Sequence, residues 1–309
     1  MSSGPGTTSL TADLRVRARP AERLILSLLQ LSALLSVLIT VGIVVALLRP
    51  ALDFFAEVPV IDFVFGTSWR PNLSPVSYGV LPLVAGTFMT TAIALVLAVP
   101  LGLGAAMYLS EYATERTRRR LKPVLELLAG VPSVVYGFFA LQFITPTVLQ
   151  SWLGVNVGFT NALAAGIALG VMIIPTVASL SEDAMSAVPQ ALRQGSLAMG
   201  ANRMQTTLRV VVPAAISGIS AAVVLGLSRA VGETMIVALA SGARPNLTGD
   251  FREGMQTMTG YIAQTAGGEN IVGSVSYNTL FAVGLLLFVI TLVINIISIA
   301  LVRRLREEY

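Results

Sequence analysis

The fold class this sequence predicts is an all-α polytopic membrane protein with six transmembrane helices and both termini in the cytoplasm. Three observations predict it. The 309 residues are 55% hydrophobic and 12% charged, whereas an average soluble domain carries roughly 25% charged residues. Apolar runs of membrane-spanning length recur along the chain. Lysine and arginine are concentrated in alternate connections between those runs.

The runs place spans at 24–48, 79–109, 123–145, 160–181, 212–242 and 277–302. The first run, Leu24 to Leu48, is longer than the apolar core of a secretion signal and no small-residue cleavage site follows it, so it reads as an uncleaved span. Residues 1–23 form a cytoplasmic tail, rich in Ser, Gly, Thr and Arg over its first twenty positions, that reads as disordered. Residues 49–78 form a periplasmic loop. A core membrane domain follows over 79–302, with a long cytoplasmic connection at 182–211, and 303–309 is a second cytoplasmic tail.

Basic residues set the orientation. Arg15, Arg17, Arg19 and Arg23, then Arg116, Arg118, Arg119, Arg120 and Lys122, then Arg193, Arg203 and Arg209, then Arg303, Arg304 and Arg306 fall on one side, fifteen in all. Arg49, Arg70, Arg244 and Arg252 fall on the other, four in all. The richer side is cytoplasmic. The net charge of +4 is therefore a matter of topology and does not point to nucleic acid.

The chain contains no Cys and no His, which removes thiol catalysis, disulfides and His-based metal sites, and no cofactor is expected. Its one lysine, Lys122, follows Leu121. A phosphate-cradling loop needs Gly-Lys-Ser/Thr, so the chain is not an ATPase of that kind and any energy must come from another subunit. No nucleophile–base or metal cluster supports an enzyme.

Small residues recur every four positions in three spans: Ala214, Gly218, Ala222, Gly226 and Ala230; Ala94, Ala98, Gly102, Ala106 and Ser110; Ala162, Gly166 and Gly170. Such stripes let helix backbones approach closely in lipid. The fifth span also carries Arg229 and Glu233 inside an apolar run. On a continuous helix the two share a face and sit about 60° round from the Gly226–Ala230 stripe. A charge at mid-membrane costs roughly 2.5–3.5 kcal/mol on insertion scales. Two readings follow: a site for an anion in transit, with the planar arginine fork matched to phosphate or carboxylate oxygens, or a static salt bridge joining helices.

The connection 182–211 contains helix formers punctuated by Pro189, Gly195 and Gly200, and predicts a short helix, a turn and another short helix. Pro213 then opens the fifth span. The pair of short helices is either a surface-lying amphipathic segment or a docking lever for a cytoplasmic partner. Its spacing (Gln194-Gly195-Ser196, three residues, Gly200, nine residues, Val210, one residue, Val212-Pro213) resembles the signature of ATP-binding-cassette importer permeases, in which Glu-Ala-Ala stands where this chain has Gln194, Gly195 and Ser196. The missing acid puts a salt bridge from position 194 to an ATPase in doubt.

Further segments resemble one subfamily. Ser77–Ala113, Leu125–Leu141 (LELLAGVPSVVYGFFAL) and Leu225–Gly242 (LGLSRAVGETMIVALASG) are similar to the second, third and fifth spans of phosphate importer permeases, and the likeness covers roughly 77–303. The fuller Arg-Ala-Val-Gly-Glu-Thr-Met segment and the stretch Met258–Glu269 favour the C-type subunit, the PstC family, over its A-type partner. The resemblance implies a type I ABC importer permease fold in the bacterial plasma membrane. It implies a heterodimer with an A-type permease, two copies of a cytoplasmic ABC ATPase and an extracytoplasmic phosphate-binding protein. It also implies a substrate path through Arg229 and Glu233, and ATPase coupling through Gln194, Gly195, Ser196, Gly200, Val210 and Pro213. Thr234, Ser133 and Tyr136 are further path candidates, against local readings as a helix back-bond for Thr234 and a Pro132-linked kink for the other two. Glu126 reads as a helix-end charge. The external stretch 243–276, with Arg244, Asp250, Arg252, Glu253 and Glu269, is either a contact for the binding protein or a solvated loop. A permease for molybdate, sulfate or phosphonate remains the nearest alternative, and an ATP-independent transporter a more distant one.

Overall fold

The computed structural model describes residues 20–268, 271 and 273–305. Most of the tail read as disordered, Glu269 and the end of the C-terminal tail lie outside the described residues. The chain divides into two units, Met1–Ala46 and Leu47–Tyr309.

The first unit holds the start of helix α1 (Pro20–Glu57). Leucine, isoleucine and valine cover every side of it and all are exposed from Leu24 to Val41, as a helix facing lipid requires. Ser32 and Thr40 return their hydroxyls to the carbonyls of Leu28 and Ser36, at 2.9 and 3.0 Å, so neither leaves an unpaired polar group in an apolar medium.

In the second unit the end of α1 leads to α2 (Val60–Phe65) and a two-residue hairpin, β1 (Trp69–Arg70) antiparallel to β2 (Ser77–Tyr78), with Trp69 opposite Tyr78. Helix α3 (Leu81–Met107) runs on through a π-helical turn, Tyr108–Tyr112. Helix α4 (Glu115–Ala129) is capped by the Thr114 hydroxyl and buries none of its residues. Helix α5 (Ser133–Phe139) continues as a π-helix over Ala140–Trp152. Then come α6 (Ala162–Ser186), α7 (Gln190–Ala198), α8 (Arg203–Thr206), a π-helical turn Thr207–Val211, and α9 (Val212–Ala214). Helices α10 (Ile216–Gly232), α11 (Met235–Ala240), α12 (Met258–Ala266) and α13 (Val275–Leu305) complete the chain.

Among the described residues five helical segments are long and apolar enough to cross a membrane: Leu24–Glu57, Leu81–Tyr112, Ser133–Trp152, Ala162–Ser186 and Val275–Ala300. A sixth crossing requires the bent pair Arg203–Ala214 and Ile216–Gly232, which meet at 72°. Two expected spans change. The third does not run over 123–145: Gly130 and Pro132 interrupt it, Pro132 takes an extended conformation (ψ 134°), and 123–129 belong to α4. The backbone before a proline resists the helical region, and here that separates an amphipathic surface helix from a membrane helix. The fifth is not one helix over 212–242. It bends at Ala215 and breaks at Glu233, whose backbone is extended (φ −68°, ψ 133°).

The small-residue stripes are packing seams. Ala94, Ala98 and Ala106 of α3 are fully buried along α6. A Cβ on Gly166 would lie 2.6 Å from the Ile93 Cβ, and one on Gly102 2.9 Å from the Val177 Cβ, so only glycine permits this approach. Helix α10 packs on both α6 and α3, with Gly226 against Ile173 and Val177. Helix α6 is therefore central: Ala165, Leu169, Met172, Ile173 and Val177 form the middle of the core. A second, aromatic-rich cluster (Phe54, Phe63, Trp69, Tyr261) closes one end of the unit. A third (Ala106, Met185, Val188, Val211, Ala215) closes the end that carries α7.

Candidate functional site

Arg229 stands in the last turn of α10, half-buried. Its Nη1 donates to the Thr176 hydroxyl of α6 at 3.3 Å. Thr176 follows Pro175 inside α6. The expected Arg229–Glu233 pairing on one helix face does not occur, because the helix ends between them. The Glu233 carboxylate instead accepts the backbone N–H groups of Met235 and Ile236, at 3.1 and 3.5 Å, and caps α11. Among the described residues no carboxylate neutralises Arg229. Thr234 sits in the break with its hydroxyl 3.4 Å from the Gly232 carbonyl, a weak bond at most.

Helix α12, within the stretch 243–276 expected as an external loop, completes this region. Met258, Thr259, Gly260 and Tyr261 of α12 are buried. The Thr259 hydroxyl donates to the Glu233 carbonyl at 2.7 Å, which occupies an acceptor that the broken helix leaves free. The Met258 amide donates to the Thr87 hydroxyl of α3 at 3.0 Å. Interrupted helices at membrane depth are tolerated where the freed backbone is buried in protein or lines a cavity, and such breaks mark substrate sites in other transporters.

Ser133 opens α5, and Tyr136 is buried one turn on. The Tyr136 hydroxyl donates across the Gly130–Pro132 break to the Leu128 carbonyl at 3.0 Å, and it lies within electrostatic reach of Arg229. The structure places Ser133 at a helix start beyond a break, not in a kinked helix. Glu126 is exposed within α4, outside the spans.

Four of the six coupling candidates fall on α7 and the turn that follows it, and the helix–turn–helix shape is as expected. Gly200 forms the turn with φ +89°, a conformation other residues resist. Asn202 and Gln205 cap α8 reciprocally. Gln194 and Gly195 are exposed on α7, while the Ser196 hydroxyl meets that of Thr206 at 2.9 Å. Val210 lies in the π-helical turn and Pro213 in α9; Pro213 does not open α10, which starts after the bend at Ala215. Residues 182–186, expected in the connection, still belong to α6.

The side chains that anchor this end escaped the sequence reading. Arg193 is 9% exposed. Its Nη2 donates to Glu111 at 3.0 Å and to the Met185 carbonyl at 2.7 Å, and its Nη1 donates to the Val188 carbonyl. Glu182, fully buried, pairs with Arg118 and, at 2.8 Å, with Lys122. Lys122 also reaches Asp183 at 2.5 Å. Hydrogen bonds to Asp183 and Glu182 raise the Lys122 ammonium above its ordinary range. The only sequence signal for Glu182 was an acid next to an apolar run; for Arg193 there was none beyond its charge.

On the opposite side, Asn156, Thr160, Arg244, Asn246, Asp250 and Arg252 line an open polar cavity of about 650 Å³. Arg252 chelates Asp250 and holds its carboxyl well down, to about 2.

The family described as the binding-protein-dependent transport system inner membrane component matches residues 98–307. A probable ABC transporter permease protein, YqgH, of Bacillus subtilis (strain 168) is 40% identical over 249 residues, covering 80% of this chain and 78% of that one. The phosphate transport system permease protein PstC 1 of Mycobacterium tuberculosis is 37% identical over 246 residues, 74% of this chain and 73% of that one. Among solved structures, a bacterial alginate ABC transporter in complex with its pentasaccharide-bound periplasmic protein aligns with TM-score 0.66 at 15% identity, covering 92% and 95% of the two chains. An inward-facing MetNI methionine ABC transporter aligns with TM-score 0.54 at 23% identity, covering 74% and 95%. At these identities the two structures speak to the fold, which they share with this all-α chain. The extent of the family match and the identity of the curated relatives lead to one conclusion: this multi-pass chain belongs to the binding-protein-dependent transport system inner membrane component family.

Proposed function

We propose that this chain is the C-type permease subunit of an ABC importer that carries inorganic phosphate into the cytoplasm. The observation that carries the reading is Arg229: a half-buried guanidinium at a helix break, held by a neutral hydroxyl and, among the described residues, by no carboxylate. An arginine so placed keeps its charge at any physiological pH and offers a planar fork that matches two phosphate oxygens. In a low-dielectric setting that attraction is far stronger than in water. Glu233, Thr234, Ser133 and Tyr136 flank the path; Glu233 acts by holding the α10–α11 break open.

The relatives named as phosphate permeases support the choice of cargo. A separate ABC ATPase supplies the energy, since the one lysine here sits on α4 and not in a glycine-rich loop. Two copies of it dock on the permease pair, one on this α7–α8 lever through the exposed face of Gln194 and Gly195. An A-type permease completes the path, facing the apolar residues that α5 leaves exposed, among them Val135 and Phe138. An extracytoplasmic phosphate-binding protein docks at the polar cavity around Arg244. Both termini are cytoplasmic in this reading, which the distribution of basic residues supports.

The test is phosphate uptake by the complete complex in proteoliposomes, wild type against Arg229→Gln, with assembly and ATP hydrolysis followed in parallel. Uptake is expected to collapse while the complex assembles and hydrolyses ATP. Unchanged uptake overturns the assignment of Arg229. A competition panel of sulfate, molybdate and phosphonate fixes the anion.

A further inference from the structure

Helix α7 is joined to the membrane core by three routes. Two are the chain itself: back through residues 187–189 to the end of α6, and on through α8, the π-helical turn and α9 into α10, with a bend of 72° at Ala215. The third is lateral, and it reaches α3 as well. Arg193 projects from α7 into the core and is almost completely buried. It binds Glu111, near the end of the π-helical turn that follows α3, the Met185 carbonyl in the last turn of α6 and the Val188 carbonyl in the link between α6 and α7. Two helices that share the longest seam in the molecule are thus gripped by one guanidinium.

Helix α6 then runs without interruption to Thr176, which holds Arg229. From Met185 to Thr176 is nine residues, about 13 Å of helix. Glu182 lies between them on the same helix and ties it to Arg118 and Lys122 of α4, so α4 is carried with it.

We infer that Arg193 is the positioning residue that couples the ATPase-driven lever to the substrate path. The Arg193–Glu111 clamp moves α3 and α6 with α7, and α6 delivers that movement to Arg229 through Thr176. The family's acidic position is Gln194 here and exposed; the adjacent Arg193 does the mechanical work on the inner side. This inference rests on the transport reading above.

The experiment uses the complete complex in proteoliposomes with its binding protein. Glu111→Gln keeps an acceptor for Arg193 and removes the charge; Arg193→Gln removes the three-way grip; Arg193→Lys keeps the charge with a single donor group. Expected for Glu111→Gln and Arg193→Gln is ATP hydrolysis within about twofold of wild type with phosphate carried per ATP reduced at least tenfold, and partial recovery of that ratio in Arg193→Lys. Thermal melting of the complex accompanies each assay. A parallel fall of uptake and hydrolysis together with a lowered melting point in both Gln variants reduces the clamp to a fold contact and overturns the inference. So does an unchanged ratio. If wild type moves no phosphate, the cargo assignment fails instead; coupling is then read as the same ratio, anion carried per ATP, with whichever of sulfate, molybdate or phosphonate the wild-type complex carries, and the same variants are expected to lower it at least tenfold.

Discussion

The Arg229 guanidinium reaches across to the Thr176 hydroxyl of a neighbouring helix, 3.3 Å away, and not along its own chain towards Glu233. Thr176 is therefore the residue that aims the arginine. Replacement by valine keeps the volume and removes the acceptor. One hydrogen bond to a charged group contributes about 1.5–3 kcal/mol, and a 3.3 Å bond lies at the weak end, so Thr176→Val is expected to raise the phosphate concentration for half-maximal uptake roughly tenfold with assembly intact. Transport titrations in proteoliposomes read this directly.

Glu233 is a cap before it is a charge. Glu233→Gln retains an oxygen for the Met235 and Ile236 amides and is expected to melt within a few tenths of a kcal/mol of wild type. Glu233→Ala removes the cap, a loss of about 1 kcal/mol, visible as a lower melting temperature of the purified complex. Equal melting of the two variants would contradict the capping role.

Buried Glu182 holds two cations, but Arg118 and Lys122 are 39% and 27% exposed and can turn to water when released. Glu182→Leu is therefore expected to cost about 2 kcal/mol, less than the roughly 3–5 kcal/mol of breaking a fully buried pair. A denaturation midpoint measured on the assembled complex decides it.

The α3–α6 seam predicts a graded steric effect. A Cβ on Gly166 falls against the Ile93 Cβ at 2.6 Å, whereas one on Gly195 meets nothing within 4 Å. Gly166→Ala is expected to destabilise by about 1–3 kcal/mol and Gly195→Ala not at all, as thermal melts will register.

In the polar cavity around Arg244 the Arg252 guanidinium, followed by the Arg252 amide, holds the Asp250 carboxyl at about 2. An unfolded aspartate titrates near 3.9. The pairing is thus fully present above that value and is lost only as pH falls through about 2. Hydrogen exchange at the Arg252 amide, which donates to Asp250 at 3.0 Å, is expected to show constant protection between pH 8 and 4, once the intrinsic exchange rate is divided out. Asp250→Asn should weaken that protection.

Much of this architecture was legible because lipid imposes simple rules. Small residues every four positions located the seams at Gly102, Gly166 and Gly226, and Gly200 between two runs of helix formers located the turn of the lever. The Gly130–Pro132 break was also written in the sequence, in a proline whose predecessor resists helix; a long apolar run concealed it. The break at Glu233 was not written there. Gly232-Glu233-Thr234 contains no proline, and part of what favours the extended backbone is Thr259, 26 residues downstream, bonding to the Glu233 carbonyl. Arg193 was unreadable for the same reason, since Glu111 lies 82 residues away. Local pattern reveals which faces pack; it does not reveal which distant acceptor a particular side chain will find.

Lys122 has a practical consequence. It is the chain's one lysine, and its ammonium is engaged by Glu182 and Asp183, which keep it protonated and a poor nucleophile. Amine-directed acylating reagents have no other side-chain amine to modify in this polypeptide. Native protein is expected to label slowly at this position, and any state in which α4 lifts from α6 to label faster. The wild-type sequence therefore carries its own chemical reporter of that separation, read by mass spectrometry on a single peptide without any substitution.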